Sequence, residues 1–204
     1  TAGLIIPGKR YLIAAPKKVG KSLAFLVVAI DVALAGRKVA ILDRENGADE
    51  YARRLRDVLG ARGLSPQDRE LARSGLRYFE FPRLKKEHGA EQDYAQSFAQ
   101  FDVVVFDSSR AFLTSAGVEE NSTDSYASWM GALIDPLAQG GTATVILDNT
   151  GHGDDGRARG SSSKGDLNEV MISVSVESPL GLDRAGSLRL QVDYSRFADV
   201  SGSW

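Results

Sequence analysis

Three short runs of the chain are almost entirely apolar, and each ends in an aspartate: KVAILD at residues 38–43, DVVVFD at 102–107 and TATVILD at 142–148. Runs of this length without polar alternation are typical of strands that are buried on both faces of a parallel sheet. The segments between them have helical periodicity, so strands and helices alternate along the chain. This alternation predicts a three-layer α/β domain with a mostly parallel central sheet.

Other segments complete this alternation of strands and helices. Two further strands are predicted at residues 10–14 and 76–81. Helix start and stop signals add several helices to the strands. These helices are predicted at residues 21–35, 46–59 and 89–100, from Ser65-Pro66 onward, and from Asn121-Ser122 to Gly140-Gly141.

The last part of the chain has a different pattern. Residues 170–176 and 187–194 alternate between apolar and polar side chains, and Pro179-Leu180-Gly181 lies between them. Such a pattern predicts an antiparallel pair of strands, which we place at one edge of the sheet. Because the sequence contains no repeat and no clear boundary, we expect residues 1–204 to form a single domain.

Composition excludes several classes of protein. The 204 residues carry a formal net charge of −2, which gives no general attraction for nucleic acid, and no cysteine, which excludes disulfides and thiolate metal sites. No apolar run approaches the roughly 20 residues of a membrane helix, so we expect a cytoplasmic protein without a membrane partner. The chain begins with Thr1 rather than Met, which indicates a trimmed or excised piece.

The turn after the first predicted strand contains Gly20, Lys21 and Ser22, and a long apolar helix is predicted to follow. A phosphate-binding loop needs backbone N–H groups at a helix N-terminus, a lysine for the outer phosphates and a hydroxyl for Mg²⁺. We therefore expect Lys21 to contact the β- and γ-phosphates and Ser22 to bind Mg²⁺. The nucleotide-binding stretch is predicted to comprise Ala15, Pro16, Lys17, Lys18, Val19, Gly20, Lys21, Ser22 and Leu23.

Some residues of this stretch allow more than one interpretation. Such loops usually begin with glycine, whereas here Ala15 occupies the first position. Its methyl group would restrict the first turn of the loop but would remove no N–H donor. Lys17 and Lys18 either assist anion binding or are solvated lysines at the loop crest.

Acidic residues lie at the end of one buried strand and just beyond another. Asp107 ends the strand at 102–107 and could hold Mg²⁺ beside the phosphate loop. Glu45 lies just beyond the strand at 38–43, where ligand crevices form in open α/β sheets, and we predict that it positions the attacking water. Asp43 is the rival for this role, and a further possibility is that both are loop carboxylates near Arg44.

Asn149 and His152 follow the next buried strand, so they are predicted to face the same crevice, where a polar residue could contact the γ-phosphate. Residues 151–165 are rich in Gly, Ser and charged residues, which predicts a mobile loop. Three cations of this loop either contact nucleic-acid phosphates or are solvated: Arg157, Arg159 and Lys164.

The histidines do not indicate other chemistry. His152 has no partner at metal-ligand spacing, and His88 lies in a charged, helix-like region. We therefore predict neither a histidine metal site nor a Ser-His-Asp hydrolase.

Near the end of the chain, Arg196 follows the last predicted strand, where an arginine could reach the nucleotide of a neighbouring subunit.

These motifs follow one another in the order found in RecA-like P-loop ATPases, and the chain most resembles the RepA-type and DnaB-type hexameric replicative helicases. The resemblance covers nearly the whole chain. Its carriers are GLIIPGKRYLIAAPKKVGKS, KVAILDREN, DVVVFDSSRAFL, EENSTDSYASWMGALIDPLAQGGTATVILDNTGH, RARGSSSKGD and YSRFADVSG. By this resemblance Asn149 stands where RepA-type proteins often have His, and Tyr194 where DnaB-type proteins often have Lys.

The resemblance implies a set of roles for individual residues. Gly20, Lys21 and Ser22 would bind the phosphates of ATP, and Ser22 and Asp107 would coordinate magnesium. Glu45 would be the catalytic base, and Asn149 would occupy the sensor position. The arginine acting in trans would be Arg159 or Arg196, and the segment 151–165 would be a channel loop facing single-stranded DNA.

The function expected from this resemblance is that of a Mg²⁺-dependent ATPase motor. It would form a homo-oligomeric ring, a hexamer by analogy, and act on single-stranded DNA during plasmid- or phage-type replication. A primase or another replication module is an implied further partner. Two alternatives stay open: an ATP-binding regulatory module with little turnover, and a recombinase-like ATPase that forms filaments.

Overall fold

A computed structural model describes residues 4–80, 90–115, 117, 122–149, 163–179 and 186–197. Its centre is a sheet of seven strands in the order β3-β2-β4-β5-β1-β6-β7, parallel throughout except that β7 is antiparallel to β6. The strands are β1 (Arg10–Ala15), β2 (Val39–Asp43), β3 (Leu76–Glu80), β4 (Val103–Asp107), β5 (Ala143–Asn149), β6 (Val170–Ser178) and β7 (Ser187–Ser195). The predicted α/β sheet with an antiparallel edge pair is therefore confirmed.

Helices connect the strands and cover both faces of the sheet. Two of the helices begin at the serines predicted from the sequence. Ser65 and Ser122 cap these helices by accepting hydrogen bonds from the backbone N–H groups of Asp68 and Ser125. The helices are α1 (Lys21–Leu34), α2 (Ala48–Ala61), α3 (Pro66–Gly75), α4 (Ala90–Phe98), α5 (Ser109–Ser115), α6 (Thr123–Trp129), α7 (Asp135–Gln139) and α8 (Ser163–Asp166).

The sheet separates two hydrophobic cores. Neighbouring residues of a strand point to opposite faces, as Ile41 and Leu42 of β2 do. One core packs these strands against α1, α2 and α3, and the other packs them against α4 to α7. The central strands are buried along their whole length, which explains why their sequences are continuously apolar.

Two predicted helices differ from the observed ones. The helix predicted at 46–59 begins only at Ala48, because the backbone N–H of Asn46 donates to the side chain of Asp43 and Gly47 has a left-handed φ of 90°. The segment leading to Gly140 is interrupted by a π-helical turn at Met130–Ile134. Pro136 follows this turn and has no N–H for a helical hydrogen bond.

The prediction for Lys164 was wrong on both alternatives. Residues 163–166 form α8 rather than loop, and Lys164 is buried, where its ammonium group contacts the carboxylate of Asp148 at 2.7 Å. It is therefore neither solvated nor exposed to nucleic acid. His88, His152, Arg157 and Arg159 lie outside the described residues.

The described helices are too short or too polar to be membrane-spanning helices. None of them combines the length and the apolar character that crossing a membrane requires.

Candidate nucleotide-binding site

The predicted site residues meet at one edge of the sheet, where the parallel strands have their carboxyl ends. Asp43 and Asp107 are register partners at the ends of β2 and β4, and Ala15 and Asn149 are partners at the ends of β1 and β5. The loop between β1 and α1 leaves from the same edge. The fold therefore brings together Lys21, Ser22, Glu45, Asp107 and Asn149, which are distant in sequence.

The loop before α1 has the backbone form of an anion site. Lys18 and Gly20 have left-handed φ values of 66° and 99°. Left-handed residues among right-handed ones are typical of loops whose backbone N–H groups bind anions. The N-terminus of α1 has neither a side-chain cap nor an acidic residue in its first turn. Its N–H groups and the positive end of the helix dipole therefore lie open to an anion.

Ala15 does not impose the restriction expected for the first loop position. It is the last residue of β1, fully buried, and its register partner is Asn149. A strand position needs no left-handed backbone, so a methyl group is accommodated there. Within the described loop the non-glycine residue with positive φ is Lys18.

Lys21 is held in place by Asn149. Its ammonium nitrogen donates to the side-chain oxygen of Asn149 at 2.8 Å, and both side chains are buried. An ammonium group has three N–H donors, so this contact leaves donors for phosphate oxygens. The predicted phosphate-binding lysine and the predicted sensor residue therefore lie in direct contact.

Asp107 is a buried carboxylate that lacks part of its hydrogen bonding. The Asn46 amide donates to Oδ2 at 3.3 Å, while Oδ1 is buried and has no hydrogen-bond partner among the described residues. Burial raises the pKa of Asp107 to about 6, and the charges of Asp43 and Glu45 act in the same direction. The hydroxyl of Ser22 and the charge of Lys21 lower the pKa.

This environment fits a magnesium ion. An unpaired buried carboxylate oxygen beside a serine hydroxyl is stabilised by a cation. Within the described part of the chain no three acidic, His or Cys side chains are grouped to hold a metal. That is consistent with magnesium, which usually takes one or two protein ligands and completes its shell with phosphates and water. Ser22 and Asp107 are the residues that would hold it.

The two rival carboxylates, Asp43 and Glu45, have different surroundings. Asp43 Oδ1 accepts the backbone N–H groups of Glu45 at 2.7 Å and Asn46 at 3.0 Å, and Oδ2 accepts the hydroxyl of Tyr78 at 3.0 Å. Glu45 accepts a hydrogen bond from the hydroxyl of Ser108 and lines the cleft beside Lys21. Asp43 is thus occupied with the protein itself, which favours Glu45 as the residue available to a substrate.

A cleft of about 950 Å³ opens in front of these residues. It falls within the usual size of small-molecule sites, roughly 300–1,000 Å³. Its lining includes Lys17, Lys18 and Gly20 of the loop, and Arg53 and Arg54 of α2. The cleft can take an extended anionic ligand whose phosphates lie at the N-terminus of α1.

Three residues near the site were missed by sequence reasoning. Ser108 directly follows Asp107 and Asn46 directly follows Glu45, so their positions in the sequence indicate that they belong to the site. Tyr78 lies on β3, and it reaches Asp43 only because β3 pairs with β2. No local motif marks it.

Arg196 lies far from this site within its own chain. Its backbone N–H donates to the carbonyl of Glu169, and the N–H of Glu169 donates to the carbonyl of Arg10 at the amino end of β1. The guanidinium of Arg196 donates to the carbonyl of Asp166 at 2.8 Å. The six residues of β1 separate this end from the phosphate loop by ~20 Å at ~3.3 Å per residue. Arg196 therefore cannot serve the nucleotide site of its own chain.

The uncapped helix after β1, the lysine and serine at its start, and the acidic ends of β2 and β4 define a P-loop nucleotide-binding protein. Residues 1–155 match the family of AAA domains, and the chain belongs to this family. Together with the RecA-like fold, the family makes it a P-loop ATPase of the RecA-like type. This confirms the predicted class, while the likeness to RepA-type and DnaB-type helicases stays a prediction.

A comparison with solved structures supports the fold. The crystal structure of the RadB recombinase matches with a TM-score of 0.64 and 19% sequence identity, over 95% of this chain and 84% of the recombinase chain. At this identity the likeness concerns the RecA-like fold alone. A search of curated proteins finds no match.

Proposed function

We propose that residues 1–204 form one RecA-like motor domain that hydrolyses ATP with Mg²⁺ and drives a hexameric helicase or translocase on single-stranded DNA. The observation that carries the ATPase part is the meeting of Lys21, Ser22, Glu45 and Asn149 around one cleft, with Asp107 buried beside Ser22. The DNA part rests on the resemblance of the ordered motifs to replicative helicases.

The residues of the cleft support a hydrolysis mechanism. The N-terminus of α1 and Lys21 bind the β- and γ-phosphates. Ser22 and Asp107 hold Mg²⁺, which neutralises phosphate charge when bound. Glu45 orients a water and accepts its proton as the water oxygen bonds to the γ-phosphorus. The bond to the bridging oxygen breaks, and ADP and phosphate leave.

The position of Arg196 supports an assembly. It lies at the amino ends of the parallel strands, whereas the cleft lies at their carboxyl ends. A head-to-tail arrangement of subunits would therefore place it beside the nucleotide of a neighbour. There it would stabilise the charge of the transferring phosphoryl group. Arg159 is the other candidate for this role. A primase or another replication module would be a further partner of such an assembly.

The proposal is tested by measuring ATP hydrolysis with and without single-stranded DNA on a sample of known oligomeric state. We expect DNA to stimulate turnover, and Lys21→Ala to lower turnover by about 100-fold or more with the fold retained. Lys38→Ala is the matched control, because Lys38 is exposed and precedes the amino end of β2.

Two outcomes would contradict the proposal. Turnover that survives Lys21→Ala would remove the motor assignment. ATP binding without turnover, with or without DNA, would instead indicate the regulatory module. Ala15 does not favour this second outcome, because it is accommodated as a strand residue.

A recombinase-like filament is the second candidate, favoured by the likeness to the structure of the RadB recombinase. A ring and a filament share the same ATPase core, so the assembly distinguishes them. Sizing with ATP and DNA of increasing length would show one discrete particle for a ring. A particle that grows with DNA length would indicate a filament.

A further inference from the structure

The edge strand β3 holds the loop that carries Glu45, and it does so at both ends of that loop. At the start, the Tyr78 hydroxyl donates to Asp43 Oδ2 at 3.0 Å. At the end, Glu80 Oε1 accepts the backbone N–H of Ala48, the first residue of α2, at 2.9 Å. Tyr78 and Glu80 are two residues apart, so both point to the same face of β3.

Asp43 transmits the contact with Tyr78 to Glu45. Its other oxygen, Oδ1, accepts the backbone N–H groups of Glu45 and Asn46 at 2.7 and 3.0 Å. The Asn46 amide donates to Asp43 Oδ1 and to Asp107 Oδ2, both at 3.3 Å. Asp43 therefore orients the backbone of Glu45. Through the Asn46 amide it also orients Asp107, the carboxylate predicted to bind magnesium.

Tyr78 is well suited to this task. Its ring stacks on the ring of Tyr51, with centroids 4.3 Å apart, which fixes the direction of its hydroxyl. Burial and the neighbouring Asp43 raise the pKa of Tyr78, so the hydroxyl stays protonated and remains a donor. The Tyr78 hydroxyl is a fixed donor facing a buried carboxylate.

We propose that Tyr78 and Glu80 are positioning residues for ATP hydrolysis, which hold the 44–47 loop so that Glu45 is aimed at the attacking water. This inference rests on the proposed ATPase function. Neither residue is expected to touch ATP. Both therefore act on the rate of the chemical step rather than on nucleotide binding.

Steady-state ATP hydrolysis by the full chain tests the role of Tyr78. Tyr78→Phe removes one hydroxyl and keeps the stacked ring, and we expect kcat to fall roughly fivefold to tenfold with KM within twofold. The matched control is Tyr51→Phe, which removes a hydroxyl from the stacked partner. That hydroxyl is not among the donors to Asp43 within the described residues, and its loss should leave kcat unchanged.

Glu80 allows a test by rescue. Glu80→Ala removes the acceptor for the Ala48 N–H and should lower kcat by a similar factor. Glu80→Gln keeps an acceptor oxygen at the same place and should restore the rate. Loss of negative charge alone would affect both variants equally, and that result would overturn the positioning role.

A double-mutant cycle separates positioning from a merely structural effect. In a Glu45→Gln background there is no carboxylate to aim, so adding Tyr78→Phe should not lower the residual rate further. An equal fold-loss in both backgrounds, or a wild-type rate in Tyr78→Phe, would overturn the inference while leaving the ATPase proposal intact. A wild-type protein without turnover would overturn both.

Discussion

Three carboxylates at the same edge of the sheet differ in what surrounds them. Asp43 is occupied by backbone N–H groups and Tyr78, Glu45 takes one hydroxyl, and Asp107 keeps a buried oxygen without a partner among the described residues. Hydrogen bonds stabilise a carboxylate, whereas burial without partners penalises its charge. These surroundings favour three different roles: loop support for Asp43, base for Glu45 and metal ligand for Asp107.

The raised pKa of Asp107 predicts a pH dependence of stability in protein free of metal and nucleotide. The pKa of Asp107 is about 6 in the folded protein, against the ordinary 3.8 of an aspartate, so the folded protein binds the proton more tightly. The contribution of Asp107 to stability is therefore fully present below pH 4 and is lost as the pH rises through 6. The loss is on the order of 3 kcal/mol.

Thermal melting between pH 4 and 8 measures this effect. Asp107→Asn cannot ionise at this position, so the variant should melt above the wild type at pH 8 and close to it at pH 4. Added Mg²⁺ should reduce the difference at pH 8, because it stabilises the ionised carboxylate. A wild type that becomes more stable relative to Asp107→Asn as the pH rises would contradict the prediction.

Between elements, a buried ion pair joins α8 to β5. Lys164 donates to Asp148 Oδ2 at 2.7 Å, and Asp148 Oδ1 accepts the hydroxyl of Ser109 at 2.7 Å and the N–H of Asn149 at 2.8 Å. Both charged side chains are almost fully buried. The carboxylate thus ties three elements together beside the predicted sensor residue.

Removing one partner of this pair should destabilise the fold strongly. Lys164→Met and Asp148→Asn each leave one buried charge without compensation, and we expect the free energy of unfolding to fall by about 3–5 kcal/mol. The double variant removes both charges and should recover most of that loss. Urea denaturation of the three variants measures the difference.

An exposed ion pair serves as the control for this prediction. Arg53 contacts Glu50 on α2 at 2.7 Å, and about half of the Arg53 side chain is exposed, at 52%. Because solvent screens such a pair, Arg53→Ala should not change stability measurably. If the double variant at Asp148 and Lys164 proved as unstable as the worse single variant, charge compensation would not be the reason for the pair.

Most elements could be predicted because their signals are local. The β2 strand, predicted at 38–43, is observed at Val39–Asp43. The apolar residues of α2, Tyr51, Leu55 and Leu59, are spaced four apart and pack into the core on one face of the helix. The composition of residues 151–165 indicates a loop, yet α8 begins at Ser163, before this segment ends. The burial of Lys164 depends on Asp148, sixteen positions earlier, and no local pattern contains that pairing.

The same distinction holds for the candidate site. Lys21, Ser22, Glu45, Asp107 and Asn149 could be proposed from sequence because each lies at the end of a predicted strand or shortly after it, and parallel strands end at a common edge. The contact between Tyr78 and Asp43 spans 35 positions and depends on β3 pairing beside β2. The order of strands in a sheet is a tertiary property, so the support of the Glu45 loop appears only in the structure.

At the scale of the whole molecule, the cleft lies at the carboxyl ends of the parallel strands, and Arg196 lies at their amino ends. A contact that joins the Arg196 edge of one subunit to the cleft of the next is heterologous and produces a ring or a filament. Each complete site would then consist of the cleft of one subunit and the arginine of another. Removing either half should abolish turnover for different reasons.

This division predicts complementation between two inactive variants. Lys21→Ala subunits have a defective cleft and an intact arginine, whereas Arg196→Ala subunits have the opposite defect. We expect each variant alone to lose at least about 100-fold in turnover and to retain its fold. In mixed assemblies some clefts of Arg196→Ala subunits meet Arg196 of Lys21→Ala neighbours, so activity should reappear and peak at intermediate ratios. ATP hydrolysis over a series of mixing ratios measures this.

The outcome decides between the two arginines. If the turnover of the mixtures never exceeds that of the more active variant alone, Arg196 does not act in trans, and Arg159 is the remaining candidate.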